Sequence, residues 1–574
     1  MRKKRKPSLW LTVGAAVLLI GGGAVAYWLL IQRKDSLGEV PMGAQLVPQD
    51  ALVAASITTD AKQWEQLRTY GTPQTQAVLE QQLAMLRDNF LTVNGYSYQT
   101  DIQPWVGKEI MIAYLPSSAP ITPTNPKTPA IAPSPLDQLG MVMVLPIENP
   151  VQAQQLLEKP DSPKTKFLER TYKGVRIREQ QAGATQISTM VLERFLVVTT
   201  DPRATERVID TYKGDASLAA TPGYTAALGQ IQASQQFAQI YLNVPTAAAV
   251  AASNSARSLS PQNLAQVQQK QGIAATVTLE ADGMRFKGVS WLKPDSQKRL
   301  VLENNAKSMP NRLPSETLLM VSGGNLQRLW QDYAESAESN PLTPFKPEDF
   351  RTRVKSFTGL DVEQDLLPWM KSEFSLSFIP APKGTPSEIG AGIVLMVQAS
   401  DRARAEKAFN KLDEFVTKQY QFQVQKTQIE RQPVVNLMSP LGGLTATHGW
   451  LDNNVAFLTV GAPITNLIVP KPKATLKENE LFKKAVVNDL ATNNGHFFID
   501  VDRTINAGNL TLSPLSPQSP QQKPLLNTLI SGIRGVGVTA AIHDERSSRF
   551  DIFVVMKQVG QPSPTPSPSG KSSP

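Results

Sequence analysis

A single series of short motifs runs through this chain twice, in the same order and at nearly the same interval. Leu46-Val-Pro-Gln-Asp-Ala-Leu-Val-Ala-Ala-Ser56 returns as Leu313-Pro-Ser-Glu-Thr-Leu-Leu-Met-Val-Ser322, a polar turn leading into a short apolar strand in each case. Trp64 is answered by Trp330 on the helix that follows. Pro104-Trp105 and Pro368-Trp369 each precede a glutamate, Glu109 and Glu373, and an alternating strand. Gly140-Met-Val-Met-Val-Leu145 aligns with Gly392-Ile-Val-Leu-Met-Val397, Phe195–Thr199 with Ala456–Val460, and Ile240–Val244 with Phe497–Val501. Constant order at near-constant spacing predicts two tandem copies of a unit of about 250 residues, spanning 40–300 and 305–557.

Each copy reads as α+β. Thr72-Pro73, Asn149-Pro150, Asp201-Pro202 and Thr221-Pro222 each put a capping side chain before a proline, which predicts four helix starts. Leu79, Leu83, Leu86 and Phe90 then fall on one helical face. Segments such as 185–198 and 274–291 alternate at period two, the second with Ala281-Asp282-Gly283 as a hairpin turn. Strands joined by tight turns predict mostly antiparallel sheets covered by helices. Proline-rich stretches at 116–136 and 512–524 read as surface loops, and the Ser/Pro tail 558–574 as a disordered end.

Leu9 to Ile31 is a run of 23 residues without a charge. As a helix it reaches about 34 Å, enough to cross a hydrocarbon core of about 30 Å. Five basic residues occupy 2–6 against a net of one positive charge at 33–35, so the positive-inside rule leaves 1–8 cytoplasmic and the remainder outside. Ala24-Val25-Ala26 also fits a cleavage site, but Tyr27 to Ile31 prolong the apolar run and favour an uncleaved signal-anchor. The predicted fold is thus a transmembrane helix followed by the two α+β copies, in a single-pass protein whose first partner is the lipid bilayer, through residues 9–31.

The formal charge of +9 is concentrated at that end: seven of 58 Lys and Arg lie in the first 34 residues, leaving 51 against 49 Asp and Glu. The basic balance reports topology, and no nucleic-acid partner is expected. With no cysteine, disulfides, thiolate nucleophiles and thiolate metal sites are excluded. Three histidines, 448, 496 and 543, stand at no metal-binding spacing, and His448 and His496 read as strand-edge residues. Asp500 and Asp502, two apart, would share one strand face and are the sole weak candidates for a hard-cation or acid/base site; the first copy has Asn243 and Pro245 there. Trp105 and Trp369 read as core aromatics ahead of sugar-stacking platforms. No catalytic residue, cofactor or metal site is assigned, and the chain is not expected to be an enzyme.

The basic start and apolar run, Leu46–Ala55, Gln63-Trp64, the Pro104-Trp105 strand and the closing strand at 273–293 together resemble uncharacterised proteins of domain-of-unknown-function family 3352, of the cyanobacterial type. The resemblance implies an envelope or thylakoid location and supplies no site. The expected function is a membrane-anchored binding or scaffolding ectodomain in the periplasm or thylakoid lumen, acting on an envelope protein, lipid or wall polymer. The alternative is an extracytoplasmic hydrolase using carboxylates.

Overall fold

Alternating apolar segments separated by two or three turn residues pair first with their sequence neighbours, and the hairpin at 270–292 shows the rule. Strands β9 (Lys270–Glu280) and β10 (Gly283–Leu292) meet across Ala281-Asp282, with Gly283 at φ +155°. A Cβ on Gly283 would run into the carbonyl oxygen of Val554, so glycine is what admits the strand on the far side of β10. The computed structural model describes residues 40–90, 97–116, 139–157, 168–182, 185–254, 269–339, 345–382, 384–385, 390–440, 444–486, 490–506 and 522–559. The apolar run 9–31, nearly all of the first proline-rich loop and the tail beyond 559 lie outside them. Among the described residues no helix is long and apolar enough to cross a membrane.

The first half contributes β1 (Val53–Thr58), β2 (Glu109–Leu115), β3 (Gly140–Pro146), β4 (Leu168–Tyr172), β5 (Val175–Ala182), β6 (Thr185–Leu192), β7 (Phe195–Thr199) and β8 (Ala238–Asn243), with β9 and β10. They lie in the order β4-β5-β6-β7-β3-β2-β1-β8-β9-β10, every neighbour antiparallel. The second half has β11 (Leu319–Gly323), β12 (Phe374–Pro380), β13 (Ala391–Gln398), β14 (Gln423–Ile429), β15 (Gln432–Met438), β16 (Leu444–Leu451), β17 (Val455–Val460), β18 (Gly495–Asp500), β19 (Ile533–Ile542) and β20 (Ser547–Met556). Their order is β14-β15-β16-β17-β13-β12-β11-β18-β19-β20.

The expectation of two tandem units is corrected here. β10 and β20 pair from Gly283↔Val555 to Trp291↔Ser547, so one half runs into the other and all twenty strands form one sheet. The halves also share a core: Trp64, Trp105, Phe237 and Phe286 pack in one cluster with Val501, Ile533 and Val554. The backbone interlocks as well, with Gly71 N donating to Lys557 O (2.6 Å) and Val559 N to Thr69 O (2.9 Å). An apolar strand edge left open is a template for pairing, and β10 and β20 close each other's. At their midpoint Lys287 faces Asp551. Arg285-Phe286-Lys287 recurs as Arg549-Phe550-Asp551, so those two positions are equivalents and a pseudo-twofold axis passes through the pair. An exact repeat would oppose like charges there; this chain opposes a cation to an anion.

Several sequence readings shift by a residue or more. Val47, not Leu46, corresponds to Leu313: Val47 O accepts from Leu218 N (2.7 Å) as Leu313 O accepts from Leu476 N (2.8 Å). Thr199 corresponds to Thr459, since they oppose Val142 and Val394. A one-residue slip reverses every side chain in a strand, so hydrogen-bond register, not similarity of residues, decides. Three capped prolines do open helices, at Pro73, Pro150 and Pro202. The helix expected at Pro222 begins at Tyr224 behind Gly223 (φ +79°), because Trp291 lies against that glycine and donates to Pro222 O (2.9 Å). The second proline-rich loop ends sooner than expected, at a helix Gln522–Ser531 that packs on Pro73–Phe90.

Candidate functional site

Asp500 and Asp502 do not share a strand face. β18 ends at Asp500, and the chain turns at once into Asp502–Asn506, a single wide helical turn. Asp500 is buried and caps that turn: its Oδ1 accepts from Arg503 N (2.9 Å), and Oδ2 lies 3.7 Å from Arg503 Nη1. Asp502 pairs with Lys557 (2.8 Å) and Arg534 (3.8 Å). In the first half Asn243 does the same capping, accepting from Thr246 N at 3.1 Å. Burial pushes the Asp500 carboxyl above its ordinary range, partly opposed by the Arg503 N–H and guanidinium.

Ionising Asp500 therefore opposes folding, a cost that grows as pH rises from the unfolded carboxyl's value of about 4 through the higher folded one. Asp500→Asn keeps the cap, as Asn243 demonstrates, and removes that term. Its unfolding free energy is expected within about 1 kcal/mol of wild type at pH 4, with the difference moving in the variant's favour toward pH 7. Urea titrations at the two pH values check the sign.

His448 and His496 lie on strands with a neighbour on each side, His496 at the second position of its strand. His448 lies in β16 between β15 and β17, its Nε2 2.8 Å from Asp413 Oδ1 and its ring stacked on Phe409 at 4.4 Å. His496 lies in β18 between β11 and β19, and burial lowers its pKa to about 4, so it is neutral at physiological pH. The recurring glutamates have structural work. Glu109 accepts from Met42 N (2.5 Å) and Ser56 Oγ (2.6 Å), and Glu373 from Lys307 N (2.7 Å), Ser308 N (2.6 Å) and Met309 N (3.2 Å). Each ties down the segment entering its half. Among the described residues no group of three or more His, Asp or Glu is placed to hold a metal ion.

What the sequence reading missed is a surface. All three exposed phenylalanines among the described side chains lie on or just before the second of two neighbouring helices, Leu326–Ser339 and Pro347–Thr358: Phe345 (43% exposed), Phe350 (37%) and Phe357 (63%), and the first helix exposes Leu329 (51%). The rings interlock, Trp330–Phe350 at 4.8 Å, Tyr333–Phe345 at 4.8 Å and Phe345–Phe350 at 5.6 Å. Tyr333 donates to Phe345 O at 2.5 Å, and Trp330 Nε1 to Glu363 at 3.2 Å. The equivalent of Trp330 in the first half, Trp64, is buried against Phe237 at 4.7 Å and donates to Thr58 O. The signal was present as Phe350 and Phe357 seven apart, on one helical face, in a segment without a close counterpart near Trp64.

Comparison with known proteins gives a family and little else. The family described as "Protein of unknown function (DUF3352)" matches residues 11–556. No curated protein matches. Among solved structures, crystal form I of TP0453 is similar at 9% identity and a TM-score of 0.25, covering 44% of this chain and 80% of that one. Form III of TP0453 gives 9% and 0.23, over 45% and 81%. Scores this low carry no argument about this chain.

Proposed function

This chain belongs to the DUF3352 family, and from that premise we propose that it is a binding or scaffolding protein, held at a membrane by the apolar run 9–31 and presenting its sheet to an envelope or thylakoid partner on the outer side. The observation that supports the reading is the aromatic patch at Phe345, Phe350 and Phe357. Burying a phenylalanine side chain is favourable by about 1.5–3 kcal/mol, so a preformed cluster of them favours whatever covers it. The rings of Phe350 and Phe345 are already packed against Trp330 and Tyr333, which lowers the entropy lost on binding. Asp500 and Asp502, engaged in a cap and in ion pairs, lend the hydrolase alternative no support.

A chain without cysteine permits a single reporter thiol. With Phe357→Cys carrying a thiol-linked diazirine, illumination of cells is expected to give protein or lipid adducts, and with Val151→Cys, exposed in the first half, none. No adduct from position 357, in a folded and normally abundant variant, would sink the binding reading. Protease added to spheroplasts should degrade residues 40–557, and N-terminal sequencing should begin at or near Met1; a mature chain starting at Tyr27 would overturn the anchor.

A further inference from the structure

Resting on that binding reading, we propose that the partner of the aromatic patch is the surface of an anionic lipid bilayer. At helical spacing Lys346, Phe350, Arg353 and Phe357 share one face of the segment 346–358, and all four are exposed. The cations on the other flank are neutralised: Arg351 pairs with Glu363 (2.7 Å) and Glu348 (3.2 Å), and Lys355 with Asp361 (3.8 Å). Lys346 and Arg353, on the aromatic face, make no ion pair among the described residues. Lys346 and Arg353, with the exposed Asp349 one turn before the arginine, leave this face with a net positive charge beside two phenylalanines, which suits an anionic headgroup layer, where rings enter the acyl boundary and long basic side chains reach back to the headgroups. The patch is also rigid before it binds, with the Arg351 guanidinium 5.6 Å over the Trp330 ring.

Chain length adds a second argument. Eight residues, 32–39, separate the apolar run from Val40, where the described structure begins. Fully extended they span at most about 30 Å. A sheet leashed that closely meets the bilayer surface at a high local concentration, so a modest patch suffices to hold one face against it.

The test uses the full chain in proteoliposomes, with an environment-sensitive fluorophore on Phe357→Cys or Val151→Cys. In vesicles containing phosphatidylglycerol, the label at 357 is expected to shift to the blue and to lose emission to nitroxide-bearing lipids, while the label at 151 does neither. In phosphatidylcholine vesicles the label at 357 should report water. Adding Lys346→Glu and Arg353→Glu should return it to water in both. Absence of the shift in anionic vesicles overturns the proposal, and so does a blue-shifted label that lipid quenchers cannot reach, which would place another part of the chain or a second copy on the patch. If the bilayer fails this test while protein adducts form at 357 in cells, the binding reading stands and the lipid partner falls.

Discussion

Arg285→Leu is expected to cost about 3–5 kcal/mol of folding free energy, and Arg285→Leu with Asp551→Leu to recover most of it. Arg285 lies at the junction of the two halves with its side chain almost wholly buried, its Nη1 2.8 Å from the equally buried Asp551 Oδ1, its guanidinium 4.7 Å over the Phe553 ring. Its Nε also pairs with Glu280. Removing the arginine alone takes from the buried Asp551 carboxylate its guanidinium partner at 2.8 Å in a low-dielectric seam, whereas Glu280, partly exposed, can turn to solvent. Replacing both charges by apolar side chains takes away the desolvation cost together with the attraction, which is why the double variant should be near wild type. The pair is too buried for salt to screen, so the loss should differ little between low and high ionic strength. Urea midpoints of the two single variants and the double one decide the matter. A single-variant loss under about 1 kcal/mol, or a double variant as unstable as the two losses added, would mean that strand pairing alone holds the seam.

This seam is the part of the fold that sequence did not disclose, and the reason is physical. The hairpin at 281–283 was legible because its turn and both strands lie within about twenty residues, where local sterics and alternation decide the pairing. Trp105 with Trp369, and Gly140 with Gly392, were legible as equivalents because each pair precedes or begins the corresponding strand of its half. The pairing of β10 with β20 joins residues over 250 apart, and nothing in either strand's alternation names a partner. Two separate sheets and one continuous sheet bury the same residues from the same pattern. The recurring Arg-Phe at 285–286 and 549–550 was the available clue, since equivalent strands that end their halves are free to pair about a twofold axis. The site failed differently. Asp500 and Asp502 were placed on one face by a strand periodicity that stops at Asp500, where the capped turn begins. The aromatic patch went unread because exposure is a tertiary property: Trp64 and Trp330 occupy equivalent places in sequence, and only the neighbours, Phe237 in one case and Phe350 in the other, separate a core side chain from a surface one.

Trp105→Ala and Trp369→Ala should each lower stability by about 3–5 kcal/mol, yet the damage should spread differently. Both indoles are buried, and both donate back one turn, Trp105 to Asp101 O (2.5 Å) and Trp369 to Asp365 O (2.9 Å). Both tryptophan carbonyls also anchor the chain just beyond the second strand that follows, Trp105 O accepting from Glu148 N (2.8 Å) after β3 and Trp369 O from Ser400 N (2.9 Å) after β13. The local chemistry is therefore the same and the cavities left are alike. Their surroundings are not. Trp105 belongs to the core that crosses the junction, with Val501, Ile533 and Val554 from the second half, while Trp369 packs with Met370, Phe374, Val397, Ala405 and Ala456, all from its own half. A cavity loosens the cluster it opens into. Hydrogen exchange on Trp105→Ala should accelerate in β19 and β20 as well as in β1 to β3, whereas on Trp369→Ala it should stay confined to β11 to β13 and β17. Equal confinement of both variants to their own halves would show that the two halves stabilise themselves independently in spite of the continuous sheet.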